Sequence, residues 1–169
     1  MKPIIIALSL VTLIACNGSK NYLIRVSDKN DNYGYVNLRG DTIIPFGKYV
    51  YCFTDTFKNY AIVSKRKTGF VAIDRSEKVL FNIFPFDNGP DYPSEGLFRI
   101  VKDGKIGYAD SNFKVRIPAQ YGCAFPFSNG NAKVSTACKT VADGEHQVWI
   151  SDNWFYINKS GVRVKNDHN

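Results

Sequence analysis

Short apolar runs alternate with polar turns along this chain, and the runs recur. Leu23-Ile24-Arg25-Val26, Tyr60-Ala61-Ile62-Val63, Leu97-Phe98-Arg99-Ile100-Val101 and Ala132-Lys133-Val134-Ser135 each read as a short strand. Polar turns such as Lys102-Asp103-Gly104-Lys105 lead from these into a second set of segments that align without gaps. The second set is Tyr33-Gly34-Tyr35-Val36-Asn37, Phe70-Val71-Ala72-Ile73-Asp74, Ile106-Gly107-Tyr108-Ala109-Asp110 and Trp154-Phe155-Tyr156-Ile157-Asn158. Each begins with a large apolar residue and ends in Asn or Asp. These terminal residues stand 37, 36 and 48 positions apart, and the longer last interval carries an insert from Thr140 to Ser151.

A third strand follows each Asn or Asp after a few polar residues, as in Thr42-Ile43-Ile44-Pro45 and Val115-Arg116-Ile117-Pro118. Asn and Asp at the first turn position bond the backbone two residues on, so strand, turn and strand form a β-hairpin. Alternation gives each middle strand two faces. One carries Tyr33 and Tyr35, Phe70 and Ala72, Ile106 and Tyr108, Trp154 and Tyr156. The other carries Gly34 and Val36, Val71 and Ile73, Gly107 and Ala109, Phe155 and Ile157. Both are largely apolar, so a single unit cannot bury its own faces and neighbours must stack. The expected fold is all-β, an array of about four antiparallel β-hairpin repeats. Its geometry is a curved or superhelical stack, with a propeller-like ring as the alternative.

The unit resembles the WG-repeat family of bacterial proteins, whose pattern runs K-W-G-Y-I-D, a glycine turn, V-I-P, then F and a G-x-A-x-V strand. Asp103 through Pro118 is the nearest copy, and Phe125-Pro126-Phe127 through Val134 matches the second half. The literal Trp-Gly pair occurs nowhere. The motif residues carried over are Tyr33, Gly34, Tyr35, Asn37, Phe70, Asp74, Ile106, Gly107, Tyr108, Asp110, Trp154, Tyr156 and Asn158. The resemblance implies a scaffold and no particular reaction.

The start of the chain has a different character. Met1-Lys2 precedes an apolar run from Ile4 to Ile14, the length of a signal-peptide core and too short to span a bilayer as a helix. Leu13-Ile14-Ala15-Cys16 resembles the lipobox of bacterial lipoproteins. That resemblance implies cleavage before Cys16, lipid on its thiol and anchorage in the cell envelope. Asp does not follow Cys16, which favours the outer membrane. Residues 1–15 then form the leader, 16–21 the tether, 22–165 the repeat domain and 166–169 a tail.

Composition narrows the function classes. The chain has 169 residues, 14% of them aromatic and 44% hydrophobic, which excludes disorder as its main description. The formal charge is +7, yet the one tight basic cluster, Lys65-Arg66-Lys67, reads as a solvated hairpin loop rather than a nucleic-acid surface. His146, in the insert, and His168, next to the C-terminus, support no metal site. No phosphate loop, Ser-His-Asp set or C-x-x-C pair is present, so no cofactor is expected. Beyond Cys16 the cysteines are Cys52, Cys123 and Cys138. Cys123 and Cys138 lie on successive segments of one unit and are the candidate disulfide pair, against the alternative of small buried thiols.

Aromatics outside the motif, Tyr49, Tyr51, Tyr92, Tyr121 and Trp149, are either core or recognition surface. Tyr92, in the loop from Asp87 to Glu95, and Trp149, in the insert, are the candidate binding residues. The leading function is non-enzymatic protein binding or scaffolding in the envelope. A glycan or peptidoglycan module is one alternative, and a hydrolase with a site in residues 140–153 is the other. Mass spectrometry of the mature N-terminus is expected to show a diacylglycerol-modified Cys16. An unmodified Cys16 in the membrane fraction would overturn the lipobox reading.

Overall fold

The computed structural model describes residues 21–144 and 146–165. The leader, Cys16, the rest of the tether up to Lys20, and the tail with His168 lie outside the described residues. So do Glu145 and the side chain of His146. The described residues form nineteen strands and no helix.

The strands group into four three-stranded meanders. Unit I is β1 (Leu23–Ser27), β2 (Tyr33–Val36) and β3 (Thr42–Ile44), followed by the link strands β4 (Tyr51–Cys52) and β5 (Thr56–Phe57). Unit II is β6 (Tyr60–Lys65), β7 (Gly69–Asp74) and β8 (Val79–Ile83), followed by β9 (Pro85–Phe86) and β10 (Gly89–Pro90). Unit III is β11 (Leu97–Lys102), β12 (Lys105–Asp110) and β13 (Val115–Tyr121), followed by β14 (Cys123–Ala124). Unit IV opens with β15 (Asn131–Ser135) and closes with β18 (Phe155–Asn158) and β19 (Arg163–Val164). Between them stands an extra hairpin, β16 (Lys139–Asp143) and β17 (His146–Ile150).

All pairing is antiparallel, and units II and III share a seven-stranded sheet ordered β13-β12-β11-β8-β7-β6-β4. Unit I forms a sheet ordered β3-β2-β1-β5, and unit IV one ordered β14-β15-β18-β19. After its third strand each unit sends a link onto the first strand of the next. The N–H groups of Phe53, Phe84 and Phe125 donate in turn to the carbonyls of Ile62, Arg99 and Lys133, at 2.9, 3.0 and 2.9 Å.

The core is divided among three clusters, and each is an interface between consecutive units. Register places Arg25 beside Tyr35, Ile62 beside Ala72, Arg99 beside Tyr108 and Lys133 beside Tyr156, which defines face 1 of each unit. Face 1 of unit I, with Leu23, Tyr35 and Ile44, packs on Ala61, Val63, Val71 and Ile73 from face 2 of unit II. Face 1 of unit II, with Ala72 and Ile83, meets Phe98, Ile100 and Ala109 of unit III. Face 1 of unit III, with Ile106, Tyr108 and Ile117, meets Ala132, Val134 and Ile157 of unit IV. The two outermost faces stay open, with Ile24 39% and Ile43 49% exposed on face 2 of unit I. The array is therefore an open stack and not a closed ring.

Burial decides the state of several groups in these cores. The Tyr35 hydroxyl donates to the Thr54 carbonyl at 2.8 Å, and that of Tyr108 to the Phe125 carbonyl at 2.7 Å. Desolvation drives both phenols well above the ordinary tyrosine range. Tyr35 meets Phe57 edge-on at 5.3 Å, and Tyr108 meets Phe127 the same way at 4.9 Å. Cys52 is a free, buried thiol whose pKa burial pushes up to about 11, so it packs as a small hydrophobe.

The Asn or Asp closing each middle strand has one task in all four units. A side-chain oxygen of Asn37, Asp74, Asp110 and Asn158 accepts from the backbone N–H two and four residues on, at 2.9–3.1 Å. The residue three positions on takes positive φ: Gly40 at 89°, Glu77 at 63°, Phe113 at 60° and Gly161 at 78°. Asp28 builds the same turn between β1 and β2, with Asp31 at 57°. The Ser76 hydroxyl, with backbone N–H groups, holds the Asp74 carboxyl below its ordinary value. Asn does the same work without a charge.

Gly34 and Gly107 have a separate reason. Units I and III fold their proline-bearing third strand across the middle strand, with a register shift there. A Cβ on Gly107 would stand 2.5 Å from the Ile117 carbonyl oxygen, and one on Gly34 would stand 2.7 Å from that of Ile44. Units II and IV have Val71 and Phe155 at this position, and their third strands carry no proline. Gly107→Ala is expected to lower stability by about 1–3 kcal/mol through this overlap, read by denaturant unfolding. Gly89→Ala, with open space around it, is expected to leave the midpoint unchanged.

Candidate functional site

The candidate site is built where the repeat departs from its own pattern. In units I and III a tyrosine on face 1 receives a phenylalanine from the link and buries it. Unit II has Ala72 at that position. Its link residue Phe86 has no tyrosine of the middle strand to bury it and is 41% exposed, while Phe127 in the next link is 1% exposed. Phe-Pro-Phe occurs at 84–86 and at 125–127. That duplication is the sequence signal for the site.

Aromatic rings then run in a continuous strip over units II to IV. Tyr92 meets Phe86 at 5.6 Å. The Arg99 guanidinium lies 5.4 Å from the Phe86 ring and 4.2 Å from the Phe84 ring. Phe84 meets Trp149 at 5.7 Å, Trp149 meets Phe125 at 5.4 Å, and Phe125 meets Trp154 at 5.5 Å. The Lys133 ammonium lies 4.9 Å from the Trp154 ring and closes the row. Most neighbours are edge-to-face, with ring planes 70–77° apart at Phe84–Trp149, Phe125–Trp149 and Phe86–Tyr92. Tyr92 is the most exposed at 63%, and Phe125 is 40% exposed. Phe84, Trp149 and Trp154 are half-buried.

A buried ion pair fixes one end of the strip. Asp91 and Arg99 have side chains only 3% and 4% exposed. The Asp91 carboxylate accepts from Arg99 Nη2 at 2.7 Å, from Nε at 3.0 Å and from the Arg99 backbone N–H at 2.7 Å. Arg99 Nη1 donates onward to the Ala124 carbonyl at 3.2 Å. A desolvated pair of this kind holds only when its remaining donors and acceptors are met, and here they are. The segment from Asp87 to Glu95 is thus anchored in its middle and presents Tyr92 from a fixed base.

The other end is fixed by the insert, which is a β-hairpin and not the irregular polar loop its composition suggested. Val141, Val148, Trp149 and Ile150 favour strand, Gly144 turns at φ 61°, and the two strands pair from Lys139–Ile150 to Asp143–His146. Trp149 packs against the core between units III and IV. Cys123 and Cys138 are joined as a disulfide at the base, with Cα atoms 6.1 Å apart. The Ser151 hydroxyl donates to the Ala137 carbonyl at 2.8 Å beside it.

The structure therefore brings Tyr92 and Trp149 onto one surface through Phe86, Arg99 and Phe84, which sequence reasoning did not place there. Tyr49 and Tyr121 are core, at 4% and 3% exposure, and Tyr51 is half-buried against Tyr33 and Phe53. Of the motif residues, Tyr35, Ile106, Gly107 and Tyr108 are buried in the interfaces. Lys65, Arg66 and Lys67 line an open groove of about 500 Å³ with Lys48, Tyr49 and Glu77. There Lys48 pairs with Glu77 at 2.7 Å, and the Tyr49 hydroxyl donates to Glu77 at 2.6 Å. Among the described residues no three His, Cys, Asp or Glu groups gather as metal ligands.

These features define an all-β repeat module with a partly exposed aromatic face. The family described as WG containing repeat matches residues 33–68 and 106–136, so the chain carries WG repeats over those two stretches. Each matched stretch begins on a glycine-bearing middle strand and runs through Pro45 or Pro118. Comparison with curated proteins and with solved structures gives no match.

Asp91→Ala is expected to cost about 3–5 kcal/mol by leaving Arg99 buried without its counter-charge. Tyr92→Ala, one residue away and exposed, is expected to stay within about 0.5 kcal/mol of the parent. Urea unfolding of both variants checks the contrast.

Proposed function

We propose that this chain is a non-enzymatic binding module of the bacterial cell envelope, tethered by lipid at Cys16, and that it recognises a protein partner through the aromatic strip. The observation that carries this is the row Tyr92, Phe86, Phe84, Trp149, Phe125 and Trp154, bridged between Phe86 and Phe84 by the Arg99 guanidinium, with several rings exposed on a sheet scaffold. Exposed aromatic clusters held by a fixed scaffold are characteristic of interface hot spots. The leader and the Cys16 context support export and anchorage.

A protein partner accounts for the ring geometry better than a sugar chain does. Stacking on successive sugar rings uses aromatic faces laid open in one plane. In this strip neighbouring planes stand 70–77° apart at three of the four ring pairs described above, so the rings present edges as well as faces. The relief suits interdigitating side chains. The Lys133 ammonium, half-buried over the Trp154 ring, adds a preference for partner groups that accept hydrogen bonds.

The test is capture from envelope extract by the parent and by a Phe86→Ser/Tyr92→Ser variant. Both residues are exposed, so the melting temperature is expected to hold while capture of one defined protein falls at least tenfold. Equal capture by both proteins would remove the strip from recognition. Retention of the parent on insoluble peptidoglycan, lost in the variant, would establish the glycan reading in its place.

A further inference from the structure

The stack has two unfinished ends, and they are the two halves of the interface it repeats internally. Face 2 of unit I carries Ile24, Val26 and Val36. The corresponding side chains of units II, III and IV (Ala61, Val63 and Ile73; Phe98, Ile100 and Ala109; Ala132, Val134 and Ile157) are buried under the preceding unit. In unit I no preceding unit exists among the described residues, and Ile24 and Ile43 stay exposed. Face 1 of unit IV carries Lys133, Trp154 and Tyr156, with the Lys133 ammonium 4.9 Å from the Trp154 ring. Face 1 of unit I carries Arg25, Tyr33 and Tyr35, with the Arg25 guanidinium 5.3 Å from the Tyr33 ring. That face of unit I is the one that accepts the aliphatic face of unit II.

We propose that a second copy of this chain docks its unit I face, around Ile24, Val26 and Val36, on the unit IV face formed by Lys133, Trp154 and Tyr156, so that copies associate head to tail. The argument is continuity. The same cation-aromatic face meets the same kind of aliphatic face within the chain, and among the described residues no further unit covers either end. Repeat arrays whose ends resemble their middles extend by stacking unless a terminal unit is made polar. The two surfaces differ, so the contact is heterologous and generates an open filament or a ring rather than a two-fold dimer.

Within the chain the contact also uses a link that pairs with the next unit's first strand, and a second copy does not bring one. Intermolecular docking is therefore weaker than the internal interfaces. It rests on a face that shares Trp154 and Lys133 with the strip but involves neither Phe86 nor Tyr92, so a variant at those two residues separates it from the partner-binding reading.

The test uses the mature chain from residue 16 to 169 with Cys16→Ser, which keeps every residue of the fold and removes the lipid. Sedimentation velocity from about ten micromolar to about one millimolar, the range of weak contacts, is expected to show mass rising beyond a dimer. Ile24→Asp and Tyr156→Asp each block one end, and each alone is expected to stay monomeric with a parental melting temperature. Mixed in equal amounts they are expected to form a dimer and nothing larger, because one intact pair of ends remains. If Tyr156→Asp melts early, Val164→Asp on the neighbouring strand of the same face replaces it.

A parent that stays monomeric across the range would overturn the proposal. So would a two-fold dimer abolished by only one of the variants, or a mixture that stays monomeric. Loss of envelope capture in Ile24→Asp with a monomeric parent would assign that face to a different occupant. Phe86→Ser/Tyr92→Ser is expected to associate as the parent does, which separates this contact from the strip.

Discussion

A three-stranded meander with two apolar faces can hide neither by itself, and everything else in this fold answers that constraint. The answer is a repeated contact in which face 1 of one unit receives face 2 of the next. Face 1 is built from large or charged groups, Tyr35 with Arg25 or Tyr108 with Arg99. Face 2 is mostly small and aliphatic, Ala61, Val63 and Val71, or Ala132 and Val134. Large against small lets adjacent layers interdigitate at interior density. The links follow from the same need: after the third strand the chain must cross to the next unit, and it pairs with that unit's first strand as it goes.

Within a unit, the glycine and the proline act together. A proline-bearing third strand that bends across the middle strand brings a carbonyl where a Cβ would stand, so Gly34 goes with Pro45 and Gly107 with Pro118. Units II and IV drop both members, although unit II keeps the register shift. The departures from the repeat then create the aromatic strip. Ala72 in place of a tyrosine releases Phe86, and the extra hairpin of unit IV lays Trp149 between Phe84 and Phe125. A scaffold needs only its interfaces, so the units free to diverge are those whose link can leave the core without exposing it.

The periodic features were legible because they are local. Asn37, Asp74, Asp110 and Asn158 report turns through bonds that span four residues, and alternation along five residues assigns the two faces. What escaped reading is non-local. Units II and III merge into one sheet because β8 pairs with β11, across an insertion that the sequence alone reads as a break. Asp91 and Arg99 look like surface charges in separate segments, and only the fold buries them together. Tyr49 and Tyr121 sit outside the motif yet close the cores, since the links pass over the interfaces. Trp149 looked like an anchor on a free loop, but β-forming neighbours and the Cys123–Cys138 bridge tie its hairpin to the core.

One position in the first strand explains the ion pairs. Arg25, Arg99 and Lys133 occupy equivalent places, each beside an aromatic residue of its own middle strand. Their compensation follows their burial. Arg25, in a side chain 25% exposed, pairs with the exposed carboxylate of Asp55 and with the Cys52 carbonyl. Lys133 is half-buried at the open end and, among the described residues, has a ring face and no carboxylate. Arg99 lies at the centre of the stack, covered by the insertion itself, and there a cation without its own anion would be prohibitive. The loop from Asp87 to Glu95 supplies that anion in Asp91, and in folding over Arg99 it carries Tyr92 to the surface. The segment that neutralises the buried charge and the segment that presents the most exposed aromatic ring are one and the same, which ties the presentation of Tyr92 to the stability of the central interface.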